Sequence, residues 1–385
     1  MNMKYDFDHL VSRRGSDSVK WKKYPDDVLP LWVADMDFPS HPQIIAAMND
    51  RLAHPCFGYG CGDDELYGVI CEWASRRYGW EVQPEWLIFV PGVVTGMNWA
   101  IQALIDKDQK LYYQTPIYPP FLKFAENAGV EAVEIPLKDT QDHYEIDFDD
   151  FEQSIQGPGV FALCNPHNPV GRVFTKFELE RLAQICLEKS VMICSDEIHC
   201  DLVYSDQRHI SIASVSNEIA ANTITLMAPS KTFNIPGLEF SFAIVPNPEL
   251  RKRLEKSRRG LVGHLGILAF PAAKAAYLHG EDWLDELLIY LEGNREVLYN
   301  FMAENIPAIK LHRPQGTYLA WLDCRELDLT KDACAFFLDE ARVALNNGGD
   351  FGKVGEGFVR LNFGTPRSNL AEALARMKAA LTSIK

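Results

Sequence analysis

From Trp86 to Val245 the chain alternates short apolar runs with stretches of helical periodicity, and this alternation limits the architecture more than any other feature. Runs at Leu87 to Val90, Leu111 to Tyr113, Val130 to Ile135, Phe161 to Cys164, Val191 to Cys194, Ile224 to Met227 and Phe240 to Val245 read as strands. Val93 to Ile105, Pro119 to Ala128 and Thr175 to Lys189 read as helices between them. Continuous apolar runs are strands buried on both faces, so the expected fold class is α/β: a mainly parallel sheet with helices on both faces. In such a sheet ligands bind beyond the carboxyl ends of the strands. The chemistry of this chain is therefore to be sought in the residue that follows each strand.

Those positions carry a distinctive set. Val90 is followed by Pro91-Gly92-Val93-Val94, which opens a helix whose free N–H groups suit a phosphate. Tyr113 leads to Thr115-Pro116-Ile117-Tyr118, an aromatic face. Cys164 leads to Asn165-Pro166-His167-Asn168-Pro169-Val170-Gly171, and Cys194 to Ser195-Asp196-Glu197-Ile198-His199. Met227 leads to Ala228-Pro229-Ser230-Lys231-Thr232-Phe233-Asn234, where Pro, Ser and Asn mark a loop that receives one lysine. An ammonium at a strand exit is costly unless its pKa falls or its amine becomes an imine. Taken alone, Lys231 reads as a lysine in a surface turn and Asp196 as the cap of a helix.

Outside this region the pattern changes. Residues 1 to 40 read as irregular, with Trp21, Trp32 and Phe38 as anchors; Leu31-Trp32-Val33-Ala34-Asp35-Met36-Asp37-Phe38 puts two acids in an apolar stretch, either solvated at a strand end or part of a site. Helices are expected from His41 to Leu52 and Asp64 to Tyr78, and one long helix from Trp283 to Phe301 joining two domains. The apolar runs Thr317 to Leu322 and Gly357 to Phe363 suit a smaller α+β domain. The expected organisation is an N-terminal segment (1–45) packing with the small domain, a large domain (46–285) and the small C-terminal domain (286–385).

A formal net charge of −15 argues against a nucleic-acid partner, which would draw on clustered Lys and Arg. The basic stretch Arg251 to Arg259 reads as the solvated face of a helix. No membrane span is expected, Met1 to Arg14 does not resemble a signal peptide, and the expected location is cytoplasmic. Nine cysteines without a CxxC pair match no zinc pattern, so no metal is expected. The turn Phe57-Gly58-Tyr59-Gly60-Cys61-Gly62-Asp63 fails as a dinucleotide fingerprint, because Asp63 replaces the third glycine and no strand precedes it.

The Asn-Pro-x-Asn-Pro-x-Gly turn, the Asp-Glu strand end and the Ser-Lys segment, in that order, resemble the fold type I family of pyridoxal 5'-phosphate (PLP) enzymes, which includes the aspartate aminotransferases. The resemblance covers nearly the whole chain. It implies that Lys231 holds PLP covalently and moves the Cα proton, and that Asp196 pairs with the pyridinium nitrogen. It implies that Asn168 and His199 donate to the ring oxygen and that Tyr118 stacks on the ring. Arg360, in Phe358-Val359-Arg360-Leu361-Asn362-Phe363, would clamp the substrate α-carboxylate by paired hydrogen bonds, with Ala34 and Asp35 near the substrate. Arg367 is a second candidate, for which a surface salt bridge is preferred. Tyr59 would reach the phosphate of a neighbouring subunit, so the site would need a homodimer.

Two departures refine the resemblance. Glu239 stands eight residues after the lysine, where many aminotransferases carry a phosphate-binding Arg, and Ala228 stands where a Ser is common. Ser230, the Gly92 to Val94 turn and Tyr59 would compensate. Together with the Trp32 to Phe38 and Arg360 to Arg367 segments, these departures resemble the MalY/PatB type of carbon–sulfur β-lyases, which cleave cystathionine and related cysteine S-conjugates to a thiol, pyruvate and ammonia. A class I/II aminotransferase is the alternative. A non-catalytic binding protein and a nicotinamide-dependent dehydrogenase rank below both.

Overall fold

The computed structural model of the protein describes residues 3–140, 142–258 and 260–383. Seven of its strands form one sheet: β1 (Leu87–Pro91), β2 (Lys110–Thr115), β3 (Glu131–Pro136), β4 (Gly159–Cys164), β5 (Val191–Asp196), β6 (Thr223–Met227) and β7 (Phe240–Ile244). Their spatial order is β1-β7-β6-β5-β4-β2-β3. All neighbours are parallel except β7, which is antiparallel to β1 and β6. Strands β4, β6 and β7 are buried at every position, as strands covered on both faces must be. The register pairs Cys164 with Asp196 and Asp196 with Leu226, so Asp196 and the exit of β6 reach one edge together.

Helices α1 (Pro42–Ala53), α2 (Asp64–Tyr78), α3 (Val93–Leu104), α4 (Lys176–Glu188), α5 (Pro229–Thr232), α6 (Pro248–Arg258), α7 (Ala269–His279), α8 (Glu281–Asn305) and α9 (Arg367–Thr382) account for most of the rest. Their ends follow local rules. Asp63 accepts from Leu66 N–H at 2.9 Å to start α2, and Thr175 with Glu178 forms a capping box on α4. The start of α3 is different: Gly92, at φ 84, makes a turn that L side chains rarely adopt, and no side chain caps the helix. Four residues on, a Cβ at Gly96 would lie 2.6 Å from Leu226 Cδ1, so glycine lets α3 approach β6 closely. The N-terminus of α3 thus points toward the end of the lysine strand.

A second, antiparallel sheet contains β8 (Lys310–Leu311), β9 (Leu319–Asp323), β10 (Asn346–Asn347) and β11 (Phe358–Asn362) in the order β8-β9-β11-β10. Residues 3–40 are less irregular than expected. They include a short helix, Val19–Lys22, and Leu29–Pro30 pairs in parallel with Val343–Ala344. Beyond that pair, residues 31–38 form a strap held by backbone bonds from Asn362 N–H to Leu31 O and from Asp37 N–H to Gly364 O, both 2.9 Å.

Other departures are modest. The long helix α8 extends past the expected Trp283 and Phe301 at both ends, and Lys231 stands on the one-turn α5 rather than in an open loop. The basic stretch forms α6, whose buried residue is Leu254, while Arg259 lies outside the described residues. Among the described residues no helix is long and apolar enough to cross a membrane.

Candidate active site

The strand ends open into one cavity of about 350 Å³, lined by residues from six segments of the chain. Val93, Val94 and Thr95 bring the first turn of α3, whose N–H groups have no acceptor within the helix. Tyr118, Asn168, Asp196, His199, Ser230 and Lys231, all expected from sequence, also line it, with Ala34 arriving on the strap.

Lys231 is enclosed by protein and opens to the cavity; its Nζ donates to Ala34 O at 2.6 Å. Burial pushes its pKa down to about 8, with Arg360 acting in the same direction and Asp35 and Asp196 opposing. A substantial fraction of the amine is therefore neutral near pH 8, the form that attacks a carbonyl. Asp196 shows the opposite shift: burial pushes it up to about 7, Glu197 adds to the rise, and the Ile198 N–H at 3.0 Å and Lys231 resist it. That N–H contact is a local turn and not the helix cap that Asp196 might have formed. His199 is pushed down to about 3 by burial and by the cations Lys231 and Arg360, so its imidazole is neutral. Its Nδ1 is buried without a hydrogen-bond partner.

Arg360 on β11 stands behind Asn168 rather than on the cavity wall. Its Nη1 donates to Asn168 Oδ1 at 3.1 Å, and its Nη2 to Trp32 O at 2.9 Å and Asn346 Oδ1 at 2.6 Å. Two consequences follow. Asn168, with its oxygen engaged, has its NH2 group left to donate, and the buried Arg360 Nε has no partner among the described residues. Burial also lowers the Arg360 pKa to about 10, which leaves it a cation at neutral pH.

These donors fit a phosphorylated pyridine. Helix N–H groups and the Ser230 hydroxyl suit a phosphate, a carboxylate poised near pH 7 suits a ring nitrogen that must stay protonated, and unpartnered donors at His199 and Asn168 suit a ring oxygen. Glu239, at φ 55, lines the same cavity, so no arginine assists at that position.

A family model for class I and II aminotransferases matches residues 26–377. The chain belongs to the class I and II aminotransferase family. Within that family it is 40% identical to cystathionine beta-lyase PatB of Bacillus subtilis (strain 168), over 98% of this chain and 100% of PatB. It is 33% identical to protein MalY of Escherichia coli (strain K12), over 99% of this chain and 100% of MalY. Cystalysin from Treponema denticola, whose crystal structure contains PLP, superposes with a TM-score of 0.94 at 33% identity over the whole of both chains.

Besides Arg360, two residues expected at this family member's site stand apart from the cavity, as does Arg367, the second candidate. Asp35 turns its carboxylate to Arg13 at 2.8 Å and Lys20 at 3.6 Å, leaving only the neighbouring Ala34 to line the wall. Tyr59 is 96% exposed, over a separate groove lined by Arg51, Phe270 and Lys274. Arg367, instead of a surface salt bridge, donates Nε to Asn294 at 3.1 Å and lies over the Tyr290 ring.

Sequence reasoning also passed over functional neighbours. Thr95 offers the third free N–H of α3, which the count of unpaired donors at any helix start would have included. Tyr318 donates to Ala34 O at 2.8 Å, sharing the acceptor of Lys231, and Asn234 bonds the strap at Met36 and Phe38. Only the fold brings these distant residues together.

Proposed function

We propose that this chain is a PLP-dependent carbon–sulfur β-lyase that cleaves L-cystathionine or related cysteine S-conjugates to a thiol, pyruvate and ammonia. The single observation that carries the reading is one cavity that gathers Lys231, Asp196, Asn168 and the first turn of α3, in a chain 40% identical over nearly its whole length to cystathionine beta-lyase PatB.

When bound, PLP supplies an aldehyde that takes up amines and a ring that draws electrons from the substrate Cα. Lys231 would hold PLP through Nζ and, when free, would accept the substrate Cα proton. Asp196 keeps the proton on the ring nitrogen. Val93, Val94, Thr95 and Ser230 bind the phosphate, Tyr118 covers the ring face, and Asn168 and His199 donate to the ring oxygen. Arg360, behind Asn168, would supply the positive charge that draws the substrate carboxylate to that side of the cavity, and Ala34 would line the wall. Loss of the Cα proton to Lys231 would let the Cβ–S bond break, its electron pair leaving with the thiolate, and water would convert the three-carbon remainder to pyruvate and ammonia.

In this reading the chain divides at about residues 45 and 285, with the cofactor residues on a large unit, Arg360 on a small unit and the N-terminal segment packing on the latter. The pairing of Leu29–Pro30 with Val343–Ala344 supports this division. Tyr59, 96% exposed beside Phe57 at 61%, supports a homodimer in which Tyr59 reaches the partner's phosphate site. Its free cysteines support a cytoplasmic, reducing setting.

The alternative is amino transfer, and thiol release separates the two. A lyase frees homocysteine from cystathionine at the same rate with or without a keto acid. An aminotransferase frees none, and forms a new amino acid only when a keto acid is supplied.

A further inference from the structure

Lys231 stands on α5, a helix of one turn with Pro229 at its first position and no side chain capping its N-terminus. So short a helix has no stability of its own, because nucleation costs more than its few hydrogen bonds return. Its orientation is set from outside, and the three residues after the lysine face three different supports. Thr232 Oγ1 donates to Asp201 Oδ2 at 2.9 Å. Phe233 packs edge-on to Trp73 with ring centroids 5.8 Å apart. Asn234 bonds the Met36 and Phe38 carbonyls of the strap.

Asp201 joins more than α5. Its other oxygen accepts from Trp73 Nε1 at 3.0 Å and Tyr78 OH at 2.6 Å, both on α2. It also ends the turn over residues 198–201, which includes His199 and follows the strand that ends at Asp196. One buried carboxylate therefore fastens the lysine helix, α2 and the segment carrying the ring-nitrogen partner. Three donors on a buried carboxylate offset its loss of water, and removing one of them leaves it under-satisfied. The titratable groups around Asp201 are Arg77, Tyr78, Cys200 and Tyr277. Those around Lys231 are Asp35, Asp196, His199 and Arg360.

We propose that Asp201 is a positioning residue for Lys231: through the Thr232 hydroxyl it fixes how deep the lysine amine stands in the cavity. The inference rests on the reading of Lys231 as the amine that holds the cofactor, but its test reads the amine directly.

The full-length chain, freed of PLP, is reductively methylated with formaldehyde and cyanoborohydride across a pH series, and the Lys231 peptide is quantified by mass spectrometry. The wild-type midpoint is expected at about 8. Thr232→Val and Asp201→Asn are expected to raise it by about one pH unit as the amine gains solvent. Thr232→Ser, which keeps the hydroxyl, retains the wild-type midpoint. The double variant Asp201→Asn/Thr232→Val shifts no further than either single variant, because both remove the same link. In the loaded enzyme, Thr232→Val lowers kcat roughly tenfold with KM little changed, as misplacement of a reacting group does. The Thr232 pair alone decides the matter if Asp201→Asn does not fold. An unchanged Lys231 midpoint in Thr232→Val, in protein that melts with Thr232→Ser, overturns the proposal. A wild-type enzyme that frees no thiol, with the midpoint shifts intact, overturns the lyase reading and leaves the positioning role standing.

Discussion

Two buried lysine–aspartate neighbourhoods lie close together in this molecule, one at the strap and one at the cavity, and they are built to opposite ends. At the strap, Lys20 is fully buried and meets Asp37 at 2.7 Å and Asp35 O at 3.2 Å. Asp37 also accepts from Arg13 and from Trp21 Nε1, each at 2.8 Å. Burial works against the Asp37 carboxylate, yet Lys20, Trp21 and Arg13 together hold its pKa below the usual carboxylate range. In the cavity, Lys231 has a neutral carbonyl as its direct partner and Asp196 accepts one backbone N–H. There burial wins: the amine falls to about 8 and the acid rises to about 7. The same two residue types are inert when fully compensated and reactive when the protein withholds partners.

The comparison can be broken at each end. Asp196→Ala should lower kcat about a thousandfold, the order expected for loss of a charge partner in a low-dielectric site. The same position should reveal its cost to the cofactor-free fold. Because the folded pKa is raised, the native state binds the extra proton, so stability falls as pH rises from the unfolded value near 4 through about 7. Asp196→Asn should remove that slope and stabilise the cofactor-free protein at pH 8 by roughly 2–4 kcal/mol, measured by urea unfolding. Equal slopes in the two proteins would refute the idea that Asp196 is under-compensated.

Asp37→Asn should do the reverse. It leaves the buried Lys20 with only the more distant Asp35 carboxylate, at 3.6 Å, and should cost about 3 kcal/mol near neutral pH. Since the folded pKa of Asp37 is depressed, its contribution is present above the unfolded value and is lost as pH falls through the folded one. The two unfolding profiles should therefore converge in acid; a constant gap would mean that Asp37 acts by packing alone.

A smaller effect is expected at Arg360. Arg360→Lys cannot reproduce a guanidinium that bonds Asn168, Trp32 and Asn346 while keeping Nε free, so KM should rise about tenfold in steady-state assays. The smallest is at Arg367, whose guanidinium is occupied by Asn294 and Tyr290: Arg367→Ala should leave KM within about twofold.

How much of this was legible in the sequence follows from what each feature depends on. The sheet was legible because buried parallel strands are apolar throughout, and sites at strand ends follow from that topology; Lys231, Asp196 and Asn168 were found that way. The resemblance to PLP enzymes supplied their roles. Asp35 was misjudged as lining the site because the apolar stretch around it gives no sign of which way a carboxylate turns; Arg13 and Lys20, far back in the chain, decide it. The helical turn under Lys231 was missed for a related reason. Four residues carry too little periodicity to show, and α5 is held by Thr232, Phe233 and Asn234 reaching Asp201, Trp73 and Met36.

The most direct test of the account is pyruvate formation from L-cystathionine by the purified protein supplied with PLP and no keto acid, compared with Lys231→Ala. The account predicts continuous pyruvate release by the wild type and a loss of roughly 10⁴-fold in the variant. Wild-type protein that forms no pyruvate, yet transfers its substrate's amino group once a keto acid is added, would contradict it.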